Sequence, residues 1–554
     1  MIIKNKKHYI DRFNEAKADY NGKGWQAVHE EKTKYLYPFG RNLDDSAESN
    51  DGNRKDEYIL NNTALLAIRT AVAGIFAGST PPLEKWFRLA DEDKELNEIA
   101  AVSEFYQKTT DLILLDMSKS NCYSVLELVI RDLLAYNISA VIIDSDPDKV
   151  FNFSHIQNGQ YYIEVDSRGE VAAIFREFRM RARNVVEEYG ESNVSQKTKG
   201  KLEGNKTGGA WVSLLHVIER NTNRDVTKED NRNMPWKSIT YELGGDIEST
   251  PLRESGYSSK PFYVPRWSVP SGNIYGSGPS DDALGDVKQL QKLMTMLNLA
   301  VQKELEPPML APTGVVVKTG PNDLTYVDDI GLAKGRTVEP LYRITPDISK
   351  LVAVIIETQE RIKSAFFANL FFAQGESDPR ETATLTIAKQ RELLRLLGPA
   401  VQRLNPELLQ PKIMRCFDIE YRMGRLPDIP PELEGRPIKI EILSALTKAQ
   451  ELSVVTPIQE LVAMVGQAAQ IWPEAIDKLD VDQTIDEING ALGIPAGIIR
   501  PDEVVEEIRA LRAQEQARQQ QAMQEMQQIE NAKQLSETKL NEDNALSAIA
   551  EGAV

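Results

Sequence analysis

The stretch most able to do chemistry is Arg266–Gln291, RWSVPSGNIYGSGPSDDALGDVKQLQ. Gly276 and Gly278 stand just before a run with helical spacing, where a glycine loop can cradle phosphates. The details oppose that use. A Walker loop needs a Lys followed by Ser or Thr, and here Gly278 is followed by Pro279, Ser280, Asp281 and Asp282. Two carboxylates in a first helical turn complement the dipole and repel a phosphate. A dinucleotide fingerprint needs a third glycine in register, which is missing. The same residues read as punctuation, with Ser280 or Asp281 as N-cap and with Pro279 and Gly278 ending the preceding chain.

Other reactive residues are sparse. None of the four histidines, His8, His29, His155 and His216, has metal-ligand spacing. His8 and His29 lie in a terminal helix and read as surface residues. His155 and His216 sit beside strands and read as structural. The segment DVDQTIDE at 480–487 resembles part of a calcium loop but lacks its Gly and terminal Glu, so a solvated helix start is expected. Cys122 and Cys416 read as buried thiols, with neither a disulfide framework nor a cysteine zinc site. There is no G-x-S-x-G elbow. No enzyme, metal or cofactor is expected.

The elements that carry these residues fall into three stretches. Residues 5–36 read as helix and 40–56 as a polar loop; 60–79, 101–120 and 123–136 read as further helices. From 139 to 220 the pattern turns to strands, SAVIIDSD, GQYYIEVDS, EVAAIFREFRM and VSLLHVIERN, with a short helix at NVVEEYG and a loop at SNVSQKTKGKLEGNKTGG, and KSITYELGG and KPFYVPRWSV add strands after it. Leu284, Val287, Leu290, Leu293, Met294, Leu297 and Val301 then mark a helix over 280–305, roughly 40 Å long. Short strands and turns fill 309–345. A second long helix runs from Asp347 to about Leu370, is interrupted by FFAQGESDPRE, and is followed by a third over 381–404. That third helix continues past Pro406 and Pro411. Two long helices flanking a small β module suggest an antiparallel pair with the module at its far end. The strand RPIKIEIL, two helices and a Gln-rich helical tail complete the chain, with the last fifteen or so residues expected to be disordered. The fold class is α+β, mostly helical.

The chain has 554 residues, 41% of them hydrophobic and 27% charged, which describes several domains with real cores. No apolar run reaches membrane length, and the N-terminus turns polar too soon for a signal peptide. Two cysteines in such a length suit a reducing compartment. A net charge of −18 opposes DNA wrapping on a basic surface. It is compatible with a protein past which DNA must slide.

Several stretches in order resemble the head-to-tail connector, or portal, family of short-tailed bacteriophages. They are AGIFAGSTPPLEKWFRL (73–89); RDLLAYNISAVIIDSD with GEVAAIFREFRMRARNVVEEYG; YGSGPSDDALGDVKQLQKL with KELEPPML; and ETATLTIAKQRELLRLLGPAVQRLNPELLQPKIMRCFDIEYRMGRLP (381–427). The resemblance spans about 5–500. Where many relatives carry Met-Thr-Ala-Thr-Glu, this chain has Glu381, Thr382, Ala383, Thr384 and Leu385.

The resemblance implies a ring-forming portal fold. It would have a wing at 1–275, a first stem helix at 276–305, a clip at 306–345 and a second stem helix at 346–370. A tunnel loop at 371–380, a kinked long helix completing the wing at 381–430, a crown at 431–500 and a C-terminal helix with a flexible tail at 501–554 would follow. The implied assembly is a homo-oligomer, a dodecamer, at one capsid vertex of the virion, put together in the host cytoplasm. Double-stranded viral DNA would pass through its channel. The implied partners are the major capsid protein, scaffold protein, terminase and then tail adaptor proteins, with no membrane. Gly276, Gly278 and Pro279 become the hinge into the stem, the glycines allowing positive φ. DNA-channel candidates are Lys288, Lys292, Lys303, Lys363, Gln374, Glu376 and Arg380, and clip contacts are Lys318, Asn322, Tyr326, Asp328, Lys334 and Arg336. Lysines on the stem also serve as solvated positions or salt-bridge partners, and Phe366, Phe367, Phe371 and Phe372 read as stem and wing core. A packaging motor or nuclease would need a Walker Lys and a metal-binding acidic cluster. A tail adaptor or internal virion protein without a DNA channel is the competing structural reading.

Overall fold

The computed structural model describes residues 6–38, 56–204, 209–228, 230–244, 250–270, 272–305, 309–310, 339–340, 348–375, 403–443 and most of 458–537. The chain divides into two compact units, Met1–Glu92 with Glu104–Gln459 and Asp93–Ser103 with Glu460–Val554.

In the first unit, the helix expected over 5–36 is two: α1 (Lys6–Gly22) and α2 (Trp25–Leu36). Gly24, at φ +83°, supplies the left-handed turn between them. Tyr9, Phe13 and Tyr20 put one face of α1 into the main core. The next helix, α3 (Thr63–Ser79), buries Ala64, Ala67, Ile68, Ala71, Val72 and Ile75, the spacing of a single stripe. Strand β1 (Phe87–Ala90) follows, then α4 (Lys94–Glu98, second unit), α5 (Ala100–Lys119) and α6 (Cys122–Tyr136). Asn137, left-handed at φ 70°, ends α6.

Two antiparallel sheets fill the β-rich stretch. β2 (Ala140–Asp146) lies between β3 (Val150–Ile156) and β9 (Phe262–Tyr263). β4 (Tyr161–Val165), β5 (Val171–Arg181), β6 (Trp211–Arg220), β7 (Trp236–Glu242) and β8 (Arg253–Tyr257) form a sequential meander. Helix α7 (Ala182–Tyr189) follows β5. The loop expected over 192–209 instead contains α8 (Gln196–Gly204). Its first turn is held by a distant group: the Glu242 carboxylate accepts from Ser195 N (3.0 Å), from Ser195 Oγ and from Thr198 Oγ1 (3.1 Å).

α9 (Pro279–Leu305) and α10 (Ile348–Ala365) pack antiparallel. Asp286 near the start of α9 pairs with Arg361 near the end of α10. Beyond their other ends, β10 (Met309–Leu310) pairs with β11 (Glu339–Pro340). The break after α10 falls at Phe366–Phe367, before the expected interruption at 371, and α11 (Ala368–Gly375) is helical. Farther on, Asn405–Leu409 form a π-helical turn leading into α12 (Gln410–Arg422). The wider turn carries the helix past Pro406 and Pro411, neither of which can donate an N–H. β12 (Lys439–Ile442) returns to pair with β1.

In the second unit, α13 (Val481–Leu492) starts with Asp480 Oδ1 accepting from Gln483 N (3.1 Å), so 480–487 is a helix start. A 36-residue helix, α14 (Asp502–Glu537), is tied to α13 by Arg509 donating to both oxygens of Asp482 (2.6 and 2.7 Å). The last fifteen or so residues, expected to be disordered, lie outside the described residues.

Candidate functional site: the root of the long helix pair

The sequence placed its one candidate loop at the start of α9. α9 begins at Pro279, one residue earlier than Ser280, and proline suits a first helical position because its missing N–H would have no partner there. Asp281 caps in reverse. Its Oδ2 accepts from the Gly278 N–H (3.2 Å), as the third-position acid of a capping box does. The same oxygen accepts from Asn137 Nδ2 (2.8 Å), and Oδ1 meets the Lys32 ammonium. Ser280 Oγ donates to Asn137 Oδ1 (2.8 Å). An internal carboxylate therefore fills the positive end of this helix. A phosphate has neither room nor field there.

The two glycines do different things. Gly276 sits at φ +81°, and a Cβ there would lie 3.1 and 3.2 Å from the carbonyl oxygens of Ser268 and Asn137. Gly278 does not have a positive φ, contrary to expectation. It is small because a Cβ would lie 2.7 Å from Trp267 Cδ1 and 2.8 Å from Asn137 Oδ1. The hinge residues thus form a tight, fully bonded joint.

Three anchors reinforce this root. Lys32 is 1% exposed, and burial lowers its pKa while Asp281 opposes the shift. Arg266, also buried, donates Nη2 to Glu407 Oε1 (3.0 Å) and to the Gly169 carbonyl (2.9 Å). Its backbone N–H goes to Glu407 Oε2 (2.9 Å). Glu407 lies in the π-turn, so this pair fixes the α12 segment to the chain entering α9. One turn beyond Lys288, Gln291 Oε1 accepts from Leu60 N (2.8 Å) and Asn61 N (3.0 Å), and Nε2 donates to Asn61 O (2.8 Å). Asn137, Lys32, Arg266, Glu407 and Gln291 were not singled out in the sequence. Only Asn137, a frequent left-handed helix terminator after an apolar run, left a local signal.

Past Gln291 burial fades. Ala283, Val287 and Leu290 are buried, whereas Met296, Leu299, Val301 and Leu305 are exposed, as are Val352, Val354 and Ile356 on α10. Lys288 forms an ion pair with Glu31 (2.5 Å), whose hydrogen bond raises its pKa. Lys363 pairs with Glu360 (2.7 Å). Lys292 and Lys303 are exposed and make no ion pair among the described residues. Gln374 lies in the last turn of α11, its side chain outside the described set. Glu376, Arg380, Lys318, Asn322, Tyr326, Asp328, Lys334 and Arg336 also lie outside the described residues.

The histidines divide. His155 Nε2 bonds Asp132 (2.8 Å) and His216 Nε2 bonds Ser238 Oγ (2.9 Å), as structural residues do. His29 is not a surface residue. It is 1% exposed among Tyr20, Trp25, Tyr136 and Tyr275, bonds Tyr20 Oη through Nδ1 (2.7 Å), and burial drives its pKa down to about 3. Cys122 and Cys416 are buried free thiols. Phe366 is fully buried, Phe367 stacks on Trp267, Phe371 lies against Gly74, and the Phe372 side chain falls outside the described set. Among the described residues no group of three or more potential ligands could hold a metal, and no helix is long and apolar enough to cross a membrane. The polar groups at the root are committed to one another, so what they can do is hold a long helix pair rigidly at one end.

A family model described as bacteriophage head to tail connecting protein matches residues 6–499. The portal protein of Salmonella phage epsilon15 is 36% identical over 513 residues, covering 92% of this chain and 92% of that protein. The probable portal protein of Bordetella phage BPP-1 is 34% identical over 536 residues, covering 95% and 94%. Among solved structures, a chain in the neck of an empty GTA particle overlays with a TM-score of 0.37 and 11% identity, covering 79% of this chain and 92% of that one. The family match spans α1, the sheets, the root, both long helices and α13 of the second unit, and the chain belongs to the bacteriophage head to tail connecting protein family.

Proposed function

We propose that the chain is the portal subunit of a phage head, one of a closed ring, a dodecamer, at a single capsid vertex, through which double-stranded DNA enters and leaves. The observation that carries the ring is the helix pair. α9 and α10 are anchored at one end by buried ion pairs, yet expose Met296, Leu299, Leu305, Val352, Val354 and Ile356 on their outer halves. An apolar surface of that kind on an acidic protein needs cover, and neighbouring copies in a closed ring supply it without leaving free edges. Membership of the family, with portal proteins named over most of the chain's length, favours this reading over a tail adaptor or internal virion protein.

The net charge of −18 per chain suits the role. A lumen of the same sign as DNA repels phosphate and lets the duplex move. Lys292 and Lys303, the stem lysines without an ion-pair partner among the described residues, would give weak, salt-sensitive contacts as rings. Lys288 and Lys363 are engaged within the chain and fit that role less well. Residues 306–345 would meet terminase during packaging and the tail adaptor afterwards, and the sheet-rich unit would meet coat and scaffold.

Mass measurement of the purified protein, with electron microscopy of stained particles, tests the ring. Rings with a central hole and a mass near twelve chains are expected. Ile356→Glu should shift the population towards single chains. A wild-type protein that stays monomeric at high concentration would overturn the proposal.

A further inference from the structure

Trp267 stands at a junction of two features that are far apart in sequence. On one side is the α9 root, where the indole lies so close to Gly278 that a Cβ would fall 2.7 Å from Cδ1 and 2.8 Å from Cγ. On the other is the joint between α10 and α11, where the indole stacks on Phe367 with centroids 6.1 Å apart and planes at 23°. The main chain that carries the indole is fixed as well, since the Trp267 backbone N–H donates to the Asn137 carbonyl (2.9 Å).

The joint is strained. Phe367 has φ +59°, a left-handed conformation that a bulky side chain rarely adopts and that surrounding structure must enforce. Tight turns flank it: Phe367 N donates to Ser364 O (3.0 Å), and Leu370 N to Phe367 O (3.2 Å). Phe366 is fully buried and pins the end of α10. One turn later Phe371 lies against Gly74 of α3, where a Cβ would come within 2.1 Å of the ring. α11 therefore leaves α10 in a direction fixed at Phe367. Returning Phe367 to a helical φ near about −60° would join α10 and α11 into one helix and swing the ring off the indole.

We propose that Trp267 is a positioning residue. It couples the start of α9 to the α10–α11 joint, so that the indole seating the root also sets the direction of α11. A displacement at the root is transmitted to residues 366–375 by contact. The bearing of this on a DNA channel rests on the portal reading, whereas the coupling itself does not.

Hydrogen–deuterium exchange of the intact protein tests it. Gly278→Ala drives a methyl into the indole, and amides of 366–375 should exchange about tenfold faster, although the substitution lies on another element. Trp267→Leu should have a similar effect there. The double variant should be no worse than either single, because both act through one contact. Phe367→Gly tolerates the left-handed φ and removes the stack, so in that background Gly278→Ala should leave 366–375 unchanged. If Gly278→Ala alters exchange only in the first turn of α9, or if the single effects add in the double, the coupling is refuted. Neither result depends on whether the chain forms a channel.

Discussion

Glu420 on α12 offers a sharp test of how this fold is held together. It is 0% exposed and faces Asp116 of α5, itself 1% exposed. Two buried carboxylates cannot both ionise cheaply, and two carboxylates offer no donor between them. Neither Glu420 oxygen has a hydrogen-bond partner unless a proton lies on one of the pair. Burial, and then the Asp116 contact, push the Glu420 pKa up to about 7, against the pull of Arg425 and the weaker pull of Lys119. Arg425 bridges both acids, at 2.6 Å from Asp116 and 3.4 Å from Glu420. Lys119 lies 3.4 Å from Asp116, and nearby Cys416 stays a thiol because burial raises its pKa.

The sign follows from linkage. Between its ordinary value of 4.5 and about 7, Glu420 keeps a proton in the folded chain that the unfolded chain has lost. The stability it contributes is therefore complete below 4.5 and lost as pH rises through about 7. The shift sets an upper limit of about 3 kcal/mol, and partial solvent access to Arg425 reduces the expected effect to about 1–2 kcal/mol. Glu420→Gln imitates the protonated acid, and its amide can donate to Asp116. In urea unfolding at one fixed protomer concentration, the variant should gain about 1–2 kcal/mol on the wild type between about pH 5 and about pH 8. Asp116→Asn should flatten the wild-type pH slope in the same window. A stability difference between Glu420→Gln and wild type that stays constant across that range would refute the shared proton.

Two further substitutions separate strong anchors from weak ones. Glu407→Gln leaves the Arg266 guanidinium buried without its counter-charge and should cost about 2–4 kcal/mol in denaturant melts, whereas Arg361→Ala, which breaks a half-exposed pair with Asp286, should cost under about 1 kcal/mol. Gly74→Ala should displace the Phe371 ring and lower stability by about 1–3 kcal/mol, and Phe371→Leu in the same chain should recover part of that loss.

What could be read from the residues was what repeats locally. The stripe on α3, the spacing along α9 and the alternation of the meander strands are periodic, and periodicity survives without knowing the partner surface. The junctions are different, because their reasons lie elsewhere in the chain. α8 reads as a loop because its first turn is capped by Glu242, a residue of another strand. His29 reads as a surface residue because nothing on α2 announces the aromatic cage contributed by α1, α6 and Tyr275. Gly278 shows the limit most clearly. Its residue type is legible, and the usual reason for glycine, a positive φ, is expected for it and Gly276 alike. The reason it must be small is an indole, and the value of that indole depends in turn on a strained phenylalanine just past the end of α10, at the same end of the helix pair. A glycine records that space is short without saying what fills it. The part of this site that could move as a unit is for that reason the part that a single sequence conceals.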